Sequence, residues 1–264
     1  MSKTSRDLGF DLAVDSAARR EFADRYAGPA LGPVCVVIAA YREAATLGLV
    51  LDAMPATAHG LSLAILVVDD GSDDGTAEVA EAHGAFACRP DVNRGQGAAL
   101  RLGYRLASEH GADYVVTTDA DGQYDANEIS ALLAPILEDR ADFVSGSRRL
   151  GSTYRGDTFR YLGVVFYARV LRLLTGQRIT DPSFGLRAMR VEVATSVDLR
   201  QPQFQASELL IGAAMRGFRL AEVAATMHQR AAGHSRKGND LLYGARFGWV
   251  VLSTWWRERG QRPR

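Results

Sequence analysis

The chain has 264 residues, 47% hydrophobic and 23% charged, the proportions of an ordinary globular protein. Lysine plus arginine and aspartate plus glutamate both number 31, so the formal net charge is zero and no global basic field speaks for nucleic acid. No apolar run approaches the roughly 20 residues that span a bilayer, and residues 1–20 lack the apolar core of a signal peptide. Cys35 and Cys88 lie in apolar, strand-like runs and read as buried thiols, in keeping with a reducing cytoplasm.

Residues 1–32 read as an appendage. A short helix over 15–26 would line up Ala18, Phe22 and Tyr26 before Gly28-Pro29 and Gly32-Pro33 break it. Residues 34–40, Val-Cys-Val-Val-Ile-Ala-Ala, are apolar and rich in β-branched side chains, as in a strand buried on both faces. A helix over 44–54 and a second strand over 63–68 follow, the strand ending in Asp69-Asp70-Gly71-Ser72. Acids and a capping residue start the next helix near 74–76. A short strand over 85–88, the loop Asn93-Arg94-Gly95-Gln96-Gly97, a helix over 98–109 and a strand over 114–118 complete the first half. A helix over 127–137 leads to a strand over 142–146. This alternation predicts an α/β fold with a doubly wound, mostly parallel sheet and helices on both faces. The loops at the carboxyl ends of its strands should gather at one edge.

The second half is less regular. It offers an apolar helix over 159–174 carrying Arg160, Arg169 and Arg172, and a turn at Asp181-Pro182-Ser183-Phe184-Gly185. A helix over 203–216 holds Glu208, and a strand over 218–224 follows. A basic loop over 228–237 then precedes an aromatic-rich helix over 241–257. No linker marks a second independent domain.

The most informative stretch is Asp119-Ala120-Asp121-Gly122-Gln123, where a buried strand ends in two carboxylates one residue apart. Such a pair can hold one hard cation, and Mg²⁺ characteristically combines one or two carboxylates with waters and substrate phosphates. Asp and Gly also build ordinary solvated turns, so the context decides.

In order along the chain, Ala39-Ala40-Tyr41-Arg42-Glu43, Val67-Val68-Asp69-Asp70-Gly71-Ser72, Asn93-Arg94-Gly95-Gln96-Gly97 and Asp119-Ala120-Asp121-Gly122-Gln123 form one set. Ser145-Gly146-Ser147-Arg148, Asp181-Pro182-Ser183-Phe184-Gly185 and Arg230 with Gly233-His234-Ser235 extend it. From residue 33 to residue 238 the chain resembles the family 2 glycosyltransferases of GT-A fold. It looks most like their polyprenyl-phosphate sugar synthases, of the dolichyl-phosphate mannose and glucose synthase type. The resemblance implies an appendage over 1–32, a catalytic domain over 33–238 and a C-terminal, membrane-facing helix over 239–264. It assigns Tyr41, Glu43 and Asp70 to the nucleoside, with Arg94, Gln96 and Asp119 completing the nucleotide site. Asp119, Asp121 and Gln123 would hold Mg²⁺ or Mn²⁺. The glycines around Arg94 and Gln96 would permit close ligand approach.

The family inverts the anomeric centre by direct displacement. A phosphate acceptor, with a second pKa near 6, needs no general base but needs cations to place it. Arg148, Arg149 and Arg230, with His234 and Ser235, are the expected acceptor-phosphate group, and Arg155 and Arg236 are further cations on the same loops. Asp121, Arg148, Arg230 and Glu208 are the candidate catalytic residues. Glu208 would orient an arginine, or act as base if the acceptor is a soluble hydroxyl, which is the alternative reading. A nucleotidyltransferase lacks its glycine-rich signature here; a non-catalytic nucleotide-sugar-binding module is a further alternative. The expected partners are a nucleoside-diphosphate sugar, a polyprenyl-phosphate lipid and a membrane surface, without nucleic acid. The expected location is cytoplasmic and peripheral on the membrane. With no Gln-x-x-Arg-Trp motif, one sugar per encounter is expected.

Overall fold

The computed structural model describes residues 5–151, 158–201, 203–229 and 240–260. The first long apolar run forms strand β1 (Val34–Ala40), followed by helix α2 (Ala44–Asp52), a two-residue strand β2 (Thr57–Ala58) and strand β3 (Leu61–Asp69). Helix α3 (Thr76–Ala82), strand β4 (Phe86–Cys88), helix α4 (Gln96–Glu109) and strand β5 (Tyr114–Asp119) come next. A single 3₁₀ turn leads into α5 (Ile129–Leu137) and β6 (Phe143–Ser147). The second half adds α6 (Thr158–Thr175), β7 (Arg187–Arg190), α7 (Val191–Ser196), α8 (Gln205–Met215), β8 (Leu220–Ala224) and α9 (Asp240–Glu258).

The eight strands make one sheet in the order β2-β3-β1-β5-β7-β6-β8, with β4 on β3. β1 pairs in parallel with both β3 and β5, and β6 with β8, whereas β7 runs antiparallel between β5 and β6. The six predicted strands are all present. Two were missed: the two-residue β2, and β7, whose Arg-Ala-Met-Arg sequence has charged ends and no apolar run. β7 is a strand only because β5 and β6 flank it and take up its backbone hydrogen bonds.

Both faces of the sheet are covered, which is why its central strands carry no polar alternation. Cys35 and Val37 of β1 face one core with α4, α7 and α8, while Val34, Val36 and Ile38 face the other with α2 and α5. Both cysteines are buried and free, and burial pushes the Cys88 thiol up to about 12, so neither ionises readily. The amino-terminal helix α1 (Ser5–Tyr26) extends further back than the expected 15–26. It is also less of an appendage than expected, because Asp15, Ala18 and Phe22 are buried in the same core as β1 and α4.

Chain direction fixes the site. β1, β3 and β5 all finish at the same edge, and β1 lies between β3 and β5. The order reverses there, which is where open α/β sheets form their ligand crevice. The opposite end is bound by charge. Asp142 accepts from the Arg219 backbone N–H at 2.8 Å and from its guanidinium at 2.8 and 3.1 Å, with Arg190 at 3.3 Å. The Arg219 hydrogen bonds hold the Asp142 carboxyl below its ordinary value. A carboxyl whose folded pKa is depressed contributes stability above the ordinary carboxylate range and loses it as pH falls through the folded pKa. Asp142→Asn should therefore lose less melting temperature than the parent between about pH 6 and pH 3. Parallel loss in both proteins would show that the pair contributes nothing.

Candidate active site

The loops after β1 and β3 are stitched together by side chains. The Arg42 N–H donates to Ser72 Oγ at 2.9 Å, Glu43 N–H to Thr76 Oγ1 at 3.0 Å and Ala44 N–H to Asp74 Oδ2 at 3.2 Å. Asp74 and Thr76, expected to start their own helix, thus also satisfy the open N–H groups at the start of α2. Arg42 additionally pairs with Asp73 at 2.8 Å and sits 5.3 Å from the Tyr41 ring centroid. Thr46 Oγ1 reaches both the Glu43 carboxylate at 2.8 Å and the carbonyl of Ala120 at 3.1 Å. The first-strand loop is thereby tied to the Asp119-Ala120-Asp121 turn.

Asp69 and Asp70 are both buried at the end of β3. Asp69 Oδ1 accepts from the N–H and hydroxyl of Ser72. Asp70 Oδ2 accepts the backbone N–H groups of Arg94 at 2.8 Å and Gly95 at 2.6 Å. Among the described residues, buried Asp70 Oδ1 has no hydrogen-bond partner, and Asp69 Oδ2 has the long approach of Arg89 at 3.8 Å. Burial pushes both carboxyls up, against the hydrogen bonds that lower them. A buried polar atom left unsatisfied costs about 1–3 kcal/mol. Both oxygens lie at the carboxyl edge of the sheet.

Asp119 closes β5, with its Oδ1 accepting from the Gln96 amide at 2.8 Å. Gly185 faces its other oxygen: a Cβ there would lie 2.9 Å from Asp119 Oδ2 and 2.8 Å from the Tyr124 hydroxyl, so a larger residue would displace one of them. Tyr124 accepts the Gly185 N–H at 3.0 Å and stacks against Phe184 with centroids 4.8 Å apart. Burial first, then the Asp119 carboxylate, pushes its phenol up. Asp121 is buried, and its Oδ1 accepts the Gln123 N–H at 3.1 Å. Among the described residues no group of three or more His, Cys, Asp or Glu gathers around one point. The all-oxygen pair still fits Mg²⁺ or Mn²⁺, which take their remaining ligands from water and phosphate.

Gln123, expected to help hold the metal, is engaged with His228 through its side-chain amide and its backbone carbonyl. Its amide donates to the His228 carbonyl at 3.2 Å and its own carbonyl accepts the His228 N–H at 2.8 Å. It pins the segment after β8 to the Asp119-Ala120-Asp121 loop. Arg94 also departs from expectation: its guanidinium turns inward to Asp15 of α1 at 2.6 Å and is only 3% exposed. Gly97 is needed for close approach, but to protein, since a Cβ there would meet the carbonyl of Gln201 at 1.9 Å.

Arg148 follows β6 and makes a two-pronged pair with buried Asp181, Nε to Oδ2 at 2.6 Å and Nη2 to Oδ1 at 2.8 Å. Nη2 also donates to Ser183 Oγ at 3.0 Å, and the guanidinium lies 5.9 Å from the Phe184 centroid. Asp181 is thus more than the turn residue its Asp-Pro context suggested. Glu222 on β8 in turn accepts the N–H groups of Thr180 at 2.8 Å and Asp181 at 2.9 Å. Arg149 is exposed, with its N–H 3.3 Å from Ser147 Oγ. Arg155, Arg230, His234, Ser235 and Arg236 lie outside the described residues.

Glu208 is neither placed as a base nor in contact with Arg148. It is fully buried and accepts the N–H groups of Arg200 at 3.0 Å and Gln201 at 3.0 Å, and the Arg257 guanidinium at 3.0 Å. Its carboxylate anchors the 198–201 loop to α8 and α9. The sequence reading missed Asp15, Thr46, Tyr124 and Glu222 altogether. Each acts through a partner distant in sequence, so no local spacing marked it.

A mostly parallel sheet with an acid pair at its switch point fits the GT-A fold. The family model for Glycosyl transferase family 2 matches residues 35–197, more than half of the chain. The chain belongs to that family. It is 31% identical over 241 residues to an undecaprenyl-phosphate mannosyltransferase of Micrococcus luteus, covering 84% of this chain and 93% of the relative. It is 30% identical over 226 residues to a dolichyl-phosphate hexose transferase of Haloferax volcanii, covering 86% and 95%. Among solved structures, glucosyl-3-phosphoglycerate synthase of Mycobacterium tuberculosis, crystallised with Mn²⁺ and UDP-glucose, matches with a TM-score of 0.66 and 25% identity. That match covers 93% of this chain and 84% of the other.

Proposed function

We propose that the protein moves one sugar from a nucleoside-diphosphate sugar to a polyprenyl phosphate at a membrane surface. The observation that carries the reading is the arrangement at the sheet edge. Two orphaned acid oxygens after β3, the Asp119/Asp121 pair after β5 and a braced Arg148 after β6 follow one another across it. The acids after β3, with Tyr41 and Glu43, would take the nucleoside. Asp119 and Asp121 would hold Mg²⁺ or Mn²⁺, which supplies charge stabilisation for the departing diphosphate. Arg148, held by Asp181 and Ser183, presents a fixed cation, with Arg149 next to it in the chain. A phosphate nucleophile is already anionic, so the engagement of Glu208 elsewhere leaves no missing base.

The lipid half of the proposal rests on α6 and α9. They pack together, with Tyr167 and Phe247 rings 4.3 Å apart and Trp255 Nε1 donating to the Leu174 carbonyl at 3.0 Å. Outward they expose Phe166 and Leu173 on α6, and Trp249, Leu252 and Trp256 on α9. Arg169 and Arg172 on α6, Arg246 on α9 and Arg259 just after it are exposed; α6 carries no acid, and α9 has Asp240 at its start and a buried Glu258 at its end. Aromatic and aliphatic side chains among arginines suit the headgroup layer of an anionic bilayer. No described helix is long and apolar enough to cross a membrane.

The test supplies the protein with labelled UDP- and GDP-sugars, Mn²⁺, and polyprenyl phosphate in anionic vesicles. Labelled lipid that disappears with EDTA is the expected result. Label moved only to a small phosphorylated acceptor such as 3-phosphoglycerate would overturn the lipid reading while keeping the donor half.

A further inference from the structure

The Arg94-Gly95-Gln96 tripeptide ties the two halves of the donor site together. Its first two N–H groups hold Asp70 Oδ2, and its third side chain holds Asp119 Oδ1 at 2.8 Å. A shift of this tripeptide would move the nucleoside end and the metal end at once. Behind it stands a residue outside the matched family segment of 35–197. Asp15 of α1 is fully buried and meets Arg94 Nη1 at 2.6 Å, Arg101 Nη2 at 3.3 Å and Arg105 at 3.9 Å. Arg101 continues to the carbonyl of Leu199 at 3.0 Å, the loop that Glu208 anchors and whose Gln201 backs onto Gly97.

We propose that Asp15 is a positioning residue of the donor site, acting from α1 through Arg94 to set the tripeptide that joins Asp70 to Asp119. The burial of both partners supports this over a simple helix-docking role. α1 has surface contacts enough for docking: Arg19 pairs with Glu109, and Arg25 with Glu81 at 2.8 Å. Those pairs hold the helix without touching the donor loop. Asp15 gives Oδ1, and the shortest of its three arginine contacts, to the arginine whose own backbone binds Asp70, and Oδ2 to Arg101. A charge buried in this way has a defined geometry, because any displacement leaves it without its partner.

The inference rests on the donor site proposed above. The experiment measures affinity for UDP and GDP with Mn²⁺, by calorimetry, in the parent, Asp15→Asn and Glu109→Gln proteins. Supporting residues one contact removed from a ligand commonly cost about 10–100-fold on removal. Asp15→Asn should weaken nucleotide binding by at least about 10-fold and raise the donor KM, with acceptor KM unchanged. Glu109→Gln, which loosens the same helix at the surface, should stay within about 2-fold of the parent. Equal weakening in both variants would reduce Asp15 to helix docking and overturn the proposal, as would unchanged affinity in Asp15→Asn. Should Asp15→Asn not fold, Arg94→Lys and Arg94→Met decide: the first retains an ion pair and should retain affinity, the second should lose it. Equal affinity in those two would sink the proposal. No nucleotide binding by the parent protein would instead remove the donor reading itself, and this inference with it.

Discussion

Joint replacement of Asp119 and Asp121 by alanine is expected to reduce sugar transfer by about three orders of magnitude or more. The physical reason is the charge that develops on a departing nucleoside diphosphate. A divalent ion contributes several kcal/mol of stabilisation there, and each 1.36 kcal/mol is a factor of ten in rate. The acids stand at the sheet edge, Asp119 half-buried at the close of β5 and Asp121 buried two residues on. Melting temperature should change far less than rate, since neither acid is part of the central strand packing. The Mn²⁺ dependence of the residual rate separates the causes: a variant that still saturates at the parent's Mn²⁺ concentration would place the ion elsewhere. Turnover at the parent's rate would remove the metal-dependent mechanism.

The second large effect is on stability. Glu208→Ala is expected to cost about 3–5 kcal/mol, the range for breaking a buried ion pair from one side. Glu208 is fully buried, and its removal leaves the N–H groups of Arg200 and Gln201 without their acceptor. It also leaves Arg257 with Glu258, at 2.8 Å, as its remaining carboxylate partner. Burial pushes the Glu208 carboxyl up, against the hydrogen bonds and the Arg257 charge that lower it. Those bonds are therefore what keeps the site tolerable. For a chain of this size the loss corresponds to a fall on the order of 10 °C in melting temperature. Urea unfolding should show a lower midpoint with unchanged slope. A change under about 1 kcal/mol, with transfer to a hydroxyl acceptor abolished, would restore Glu208 as a catalytic base.

These two residues also show how far local sequence carries. Asp119 and Asp121 were legible because strand, turn and paired carboxylates are contiguous. Strand burial prints itself as an apolar run, and the run's end marks the sheet edge. Glu208 was not legible, because a glutamate in the first turn of an apolar helix looks the same whether it faces a substrate or a backbone loop. Arg94 misled for the same reason. Its place beside Gly95 suggested a phosphate-binding cation, and only the docking of α1 shows its guanidinium committed to Asp15. β7 escaped because four residues with charged ends have no periodicity to read, and its neighbours alone make it a strand.

What the chain settled by itself was most of the order of strands and helices and the place of the acid pair at a strand's carboxyl end. Both follow from short-range patterns of burial and turn chemistry. What only the folded molecule decided was how each charged side chain is used. Asp181 and Glu222 brace Arg148, Gln123 pins His228, and Asp15 holds Arg94. A charge can be taken from water only if an opposite charge or a hydrogen-bond donor meets it. The partner that meets it comes from whichever segment the fold brings near, which no local spacing records.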